Sequence, residues 1–343
     1  MRSIKYSCHV IPVLILSALC LVFSGTSIAQ EKQIERIVTF GTSLSDSGNA
    51  FVILSDPASF GYSKTCNLGV PANTPRYDSL DDFLIPDGSY AKGGHHVSNG
   101  ATWIEQLALG TGLSGNVRPA LRNAGLKASN YAVGGARSAD FDCRFNLSDQ
   151  LNAYLSDFPV TSAKALVVLE IGSNDVRDAL AKLAEGDIEG STAIINAALL
   201  NIGNTIQILH VQGARKFLLT NVPAVGETPA VKILDRLFPG SAEAANQLTA
   251  VFNSGLVNLQ TMLNQTLPNV DVRMLNLYAL LNDIIEDPVS FGIINIEDAC
   301  VTPNVPPFQC KKPSTYLFWD GVHPTKIVHG LIAQKATEVL MLP

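Results

Sequence analysis

What most constrains this chain is a recurrence of short apolar runs separated by stretches with helical spacing. Ala165 to Ile171 (ALVVLEI) lacks the alternation of a strand wetted on one face, so it predicts a strand covered on both. Ile34 to Phe40 before Gly41, Lys216 to Val222 before Pro223, and Val270 to Asn276 repeat the pattern. Ser129 to Val133 reads as a further short strand ending at Gly134-Gly135. Helical spacing occupies residues 101–109, 176–184, 191–211, 242–267 and 327–340. Strands alternating with helices predict an α/β fold: a central parallel sheet with helices on both faces.

Two segments stand outside that pattern. Arg2 and Lys5 precede an almost wholly apolar stretch from Val10 to Phe23, followed by the small residues Ser27 and Ala29. This is the three-part pattern of a secretory signal peptide, here residues 1–29 with cleavage after Ala29, and it predicts a secreted or periplasmic protein. The stretch is short of the roughly 20 residues needed to span a bilayer, and no other stretch reads as a span. Residues 51–100 are rich in turn signals such as Pro86-Asp87-Gly88 and Gly93-Gly94. They read as a loop-rich insertion within a single domain covering residues 30–343.

Export puts the remaining cysteines, Cys66, Cys143, Cys300 and Cys310, where disulfides form. Four cysteines allow three pairings. Cys300 and Cys310 enclose a short Pro-rich segment and are the favoured pair, leaving Cys66 with Cys143. No CxxC or HxxxH spacing offers a metal site, so no metal is expected. Lys plus Arg is 24 against 30 Asp plus Glu, a formal charge of -6, which argues against a nucleic-acid partner. No P-loop occurs, and Gly134-Gly135 is too little for a dinucleotide fingerprint, so no cofactor is expected.

In a doubly covered parallel sheet, the loops at the carboxyl ends of the strands meet and build the site. Those loops carry Gly41-Thr42-Ser43-Leu44-Ser45-Asp46, then Gly134-Gly135, then Gly172-Ser173-Asn174-Asp175. Asp320-Gly321-Val322-His323 comes near the C-terminus. Ser43 sits at a strand-to-helix turn, where a helix N-terminus favours negative charge. Asp320 is three residues from His323 and can orient its imidazole, which can then take the Ser43 proton. Acyl transfer also needs donors for a developing oxyanion, and Gly135, Asn174 and the Ser43 N–H can supply them. Singly, each residue has a plainer use: Ser in turns, Asn174-Asp175 as a helix cap, Gly-Gly as turn geometry. His95, His96 and His329 read as structural.

Together the four blocks resemble, in order and character, those of the GDSL or SGNH hydrolase family, notably its secreted lipases, esterases and phospholipases. The resemblance rests on Phe40-Gly41-Thr42-Ser43-Leu44-Ser45-Asp46-Ser47-Gly48-Asn49 and on Phe318-Trp319-Asp320-Gly321-Val322-His323-Pro324. Ser98-Asn99-Gly100 and Thr220-Asn221-Val222-Pro223 support it. It implies a three-layer α/β/α sandwich of flavodoxin-like type. It also implies Ser43 as nucleophile, His323 as base, Asp320 as its partner, and Gly135 and Asn174 as oxyanion donors. Gly134 competes with Gly135, because adjacent glycines leave the register open. Thr42 departs from the family by replacing its Asp, which puts the bonding around the nucleophile turn in question.

The expected function is therefore hydrolysis of carboxylic esters, with a small-molecule or lipid ester as substrate and transient contact with a membrane surface. A carbohydrate or polysaccharide acetylesterase and a lipid acyltransferase use the same triad and are the alternatives. A non-enzymatic binding protein would have no need of these residues.

Overall fold

The computed structural model describes residues 34–55, 96–122, 127–142, 144–301 and 309–341. The expected signal peptide, most of the loop-rich insertion, and Cys66 and Cys143 lie outside these.

The described elements run, in chain order, β1 (Arg36–Gly41), α1 (Asn49–Ser55), α2 (Trp103–Thr111), α3 (Leu147–Asp157), β2 (Ala165–Glu170) and α4 (Ser173–Ala184). They continue with α5 (Ile188–Val211), β3 (Lys216–Thr220), α6 (Pro229–Leu237), α7 (Ser241–Thr266), β4 (Asp271–Leu275) and α8 (Leu277–Glu286). β5 (Asn295–Ala299), β6 (Tyr316–Phe318) and α9 (Lys326–Met341) complete the order.

The main sheet is parallel with order β1-β2-β3-β4. Its apolar runs are continuous because successive side chains enter two different cores. Val38, Phe40, Val167, Leu169, Phe217, Leu219 and Val272 pack on the face covered by α3, α4, α5 and α7. Ile37, Leu166, Val168, Leu218 and Leu275 pack on the other, against α2, α8 and α9. This is the expected α/β arrangement with helices on both faces of a parallel sheet.

Two expectations need correction. Residues 129–133 form no regular strand: isolated bridges join Asn130 to Thr39 of β1 and to Pro119. Pairing does not extend further outward because Asn49 Nδ2 donates to the carbonyls of Asn130 and Ala132, both at 2.8 Å, and only the Asn130 carbonyl also accepts a backbone N–H from that side, from Ala120 at 2.9 Å. And α5 does reach the length and hydropathy of a membrane span. It is a core helix, with Ile195, Ala198, Ile202, Ile206 and Leu209 packed in the core beneath the sheet.

The sequence pattern also missed α1, α3, α6, α8 and the parallel pair β5–β6. α3 (LSDQLNAYLSD) is short and polar, with buried Leu147, Gln150, Leu151 and Tyr154 as its inner face. It is started by reciprocal bonds between Asn146 and Asp149. α8 begins directly after β4, where the Asn276 side chain accepts from the Ala279 N–H at 2.9 Å, so its start was read as strand.

Candidate active site

Because the four main strands are parallel, their carboxyl ends share one edge, and the loops after β1, β2 and β3 converge there. The loop after β1 makes a tight turn in which Ser45 and Asp46 both donate their N–H to the Thr42 carbonyl, at 3.1 and 3.0 Å. The turn needs glycine before it, because a Cβ on Gly41 would lie 2.5 Å from the Glu170 carbonyl oxygen. Ser43 stands at the apex.

His323 reaches the same point from the segment between β6 and α9. Its Nε2 is 2.8 Å from Ser43 Oγ. Its Nδ1 is 2.8 and 2.9 Å from the two Asp320 carboxylate oxygens. Asp320 is fully buried and also accepts the N–H groups of Val322 and His323, at 2.9 and 2.7 Å. These bonds fix the carboxylate, which in turn fixes the ring, with Nδ1 as donor and Nε2 left as acceptor toward the hydroxyl.

The segment that brings them is anchored by a Cys300–Cys310 disulfide. Beside it, Cys300 N donates to Phe318 O and Val301 N to Trp319 O, at 3.1 and 2.8 Å, so the bridge adjoins the residues leading into Asp320.

The donors expected for an oxyanion converge as follows. Among the described residues, the Ser43 and Gly135 N–H groups donate to no protein acceptor, whereas the Gly134 N–H donates to Asp46 Oδ2 at 2.8 Å. Of the two adjacent glycine amides, Gly135's is the one without a protein acceptor. Gly135 adopts φ 79°, a left-handed conformation suited to glycine. Asn174 Nδ2 donates to the Ala136 carbonyl at 2.9 Å, which ties the start of α4 to the residue after Gly135 and leaves its second amide hydrogen.

Three buried carboxylates hold these turns. Asp46 accepts from the N–H groups of Gly48, Asn49, Ala50 and Gly134. It thereby starts α1 and binds the Ser43 loop to the Gly134-Gly135 turn. Asp175 accepts from Ser138 and Ala139, and burial lifts it to about 6. Glu170 accepts from Thr42 and Ser45, and burial lifts it to about 7. Sequence reasoning missed all three as site residues. Glu170 had left a signal, being the one charged residue inside an otherwise apolar strand.

A cavity of about 170 Å³ opens on Ser43 and His323. Its wall is mostly apolar, with Leu44, Leu180, Val225, Val231 and Leu234, and Ser173, Asn174, Arg177 and Thr228 supply the polar groups. His95 lies outside the described residues. His96 pairs with Glu105 at 2.6 Å. His329 accepts from the Trp103 N–H at 3.2 Å and is pushed down to about 3 by burial, so it stays neutral. Both have structural partners. Among the described residues no cluster of His, Cys, Asp and Glu suits a metal.

The family model described as GDSL-like Lipase/Acylhydrolase matches residues 37–336. A GDSL esterase/lipase of Arabidopsis thaliana is 26% identical, covering 87% of this chain and 84% of that one. GDSL esterase/lipase 7 of the same plant is 26% identical over 93% and 92%. A phosphatidylcholine-sterol acyltransferase of Aeromonas hydrophila is 24% identical over 88% of each.

Proposed function

This chain belongs to the GDSL-like lipase/acylhydrolase family, a hydrolase acting on ester bonds, and from that premise we propose that it cleaves lipid or phospholipid acyl esters through an acyl-enzyme on Ser43. The observation that carries this reading is the unbroken series Asp320–His323–Ser43, with 2.8 Å at each step, opening into an apolar-walled cavity.

In the proposed course, His323 Nε2 takes the Ser43 proton as Oγ attacks the ester carbonyl. The carbonyl oxygen becomes an oxyanion held by the Ser43 and Gly135 N–H groups and the Asn174 amide. The intermediate collapses, the C–O bond breaks, and the alcohol leaves with the proton from His323. Water, giving its proton to His323, then attacks the acyl-enzyme and releases the acid and free Ser43.

The acyl-chain reading is supported by the cavity's surroundings. Behind Leu44, Pro223, Thr228 and Val322 lies a second, almost wholly apolar space of about 60 Å³. α6 carries an apolar stripe outward: Val231 lines the cavity, Leu234 stands at its rim, and Leu237 and Phe238 are 69% and 64% exposed. Leu234 and Leu237 share one helix face, and Phe238 directly follows the helix. That stripe supports transient contact with a lipid surface. The apolar leader with Arg2 and Lys5, and the disulfide, support export with cleavage after Ala29.

The relative named as a phosphatidylcholine-sterol acyltransferase favours a phospholipid acyl donor. It also keeps a second reading, acyl transfer to an alcohol in place of water. The test is a series of nitrophenyl esters from acetyl to long-chain, then phosphatidylcholine with and without a sterol acceptor. Rates rising beyond acetyl with free fatty acid as product support the lipid hydrolase. Acetyl-only activity favours a carbohydrate deacetylase, and sterol ester as the main product favours the transferase.

A further inference from the structure

The Thr42 departure from the family motif acquires a reason beneath the nucleophile. Thr42 Oγ1 lies 3.0 Å from both carboxylate oxygens of Glu170, and the Thr42 N–H lies 3.2 Å from Glu170 Oε2. Ser45 is a further polar neighbour of the same carboxylate, and its N–H donates to the Thr42 carbonyl at 3.1 Å. The Ser45 hydroxyl oxygen in turn accepts from Trp103 Nε1 at 2.9 Å. Glu170, Thr42, Ser45 and Trp103 are all buried. Among the described residues no Lys, Arg or His pairs with Glu170, so hydrogen-bond donors alone stabilise its charge. Those donors come from Thr42, directly before Ser43, and Ser45, two residues after it.

We propose that Thr42 and Glu170 act as a positioning pair for Ser43, in which the carboxylate delivered by β2 replaces the one the family motif carries in the loop itself. The inference rests on Ser43 being the nucleophile. Its chemical content is a charge count: this pocket holds one carboxylate, and Thr42 must be a donor because Glu170 is the acceptor. An Asp at residue 42 would set a second carboxylate against the first in a site from which water is excluded, where two like charges cannot both ionise without a large cost. Burial, offset in part by these hydrogen bonds, already raises Glu170 to about 7.

The pair therefore makes an unusual demand. Restoring the family's own residue should harm this enzyme, and neutralising Glu170 should repair the harm. The experiment compares T42D, E170Q, T42D/E170Q, T42V and T42S by kcat and KM on a short nitrophenyl ester and by melting temperature. T42D is expected to lower kcat about 100-fold with KM changed less than threefold. T42D/E170Q should recover at least tenfold of that loss. T42S, which keeps the hydroxyl, should stay within threefold of wild type, while T42V, of equal size, should lose about tenfold in kcat. T42V and T42S decide the matter if T42D does not fold.

T42D at wild-type activity, a double variant no better than T42D, or T42V equal to T42S would overturn the pair. A fluorophosphonate probe run in parallel separates this from the premise: an S43A protein that still hydrolyses the ester and still takes the label removes the nucleophile assignment itself.

Discussion

Asn49 offers the most direct test of how the site's second turn is held. Its side chain is fully buried and makes three bonds to backbone: Nδ2 to Asn130 O and Ala132 O, both 2.8 Å, and Oδ1 from the Leu121 N–H at 3.0 Å. These bonds stand where a neighbouring strand would otherwise satisfy residues 130 and 132, and that segment leads directly into Gly134-Gly135. Asn49→Ala removes three neutral hydrogen bonds worth about 1 kcal/mol each, and leaves the Ala132 carbonyl and the Leu121 amide without partners, while Asn130 O keeps the Ala120 N–H at 2.9 Å. Some of this will be offset by water entering the space vacated, so a net loss of about 2–4 kcal/mol is expected. Urea denaturation followed by the fluorescence of buried Trp103 and Trp319 measures it. In the folded protein, kcat on a short ester should fall about tenfold with KM nearly unchanged, because the Gly135 amide is no longer held in place. A stability loss below about 1 kcal/mol with unchanged kcat would refute the reasoning, since it would mean that the 130–133 segment holds its path without the side chain.

Ser43→Ala should remove activity by about 10³-fold or more with the fold intact, measured on short esters. Asn174→Ala should lower kcat by roughly 10²–10³ with little change in KM, and a pure KM effect would place it in binding instead. Paired Ser replacement of Cys300 and Cys310 should cost about 2–3 kcal/mol in stability and lower kcat with it, and reductant should do the same to wild type. His329 has its folded value depressed to about 3 from 6.5, so the unfolded chain takes the proton first and stability is lost as pH falls below 6.5. Glu170 and Asp175 are raised and slope the other way, so the measurement is a difference between wild type and His329→Asn. From pH 7 to 4.5 wild type should lose about 2.5 kcal/mol relative to the variant, and parallel curves would count against a neutral buried His329.

The strands were legible because burial on both faces writes itself as a continuous apolar run, and the parallel topology then nominates the loops that carry Ser43 and Asn174; Asp320 and His323 follow β6, outside that sheet, and are legible through their three-residue spacing. The reading failed where structure depends on partners distant in sequence. Residues 129–133 have strand composition, yet Asn49 competes with a neighbouring strand for their carbonyls. α3 is mostly polar, and its helix depends on Asn146 and Asp149 capping each other and on burial of one face. The choice between Gly134 and Gly135 could not be made locally either, because it turns on which amide Asp46 takes from across 88 residues.

The same dependence explains the electrostatics of the site. Asp46, Glu170 and Asp175 are buried around the turns that present Ser43 and Gly135, and their bonded partners are N–H and O–H groups. Backbone amides that accept this task are oriented toward a carboxylate and cannot also serve the reaction, so the amides left for the proposed oxyanion are the ones passed over, Ser43 and Gly135. Each buried carboxylate nevertheless raises the cost of the oxyanion forming nearby. Burial offsets that cost by pushing Glu170 to about 7 and Asp175 to about 6, so that near neutral pH the charge around the site is only partly developed. Asp320 differs because it faces an imidazole that becomes positive as the ester is attacked, and its negative charge then stabilises the transition state instead of opposing it. Four carboxylates in one small region thus divide into three that shape the backbone and one that answers the reaction's own charge.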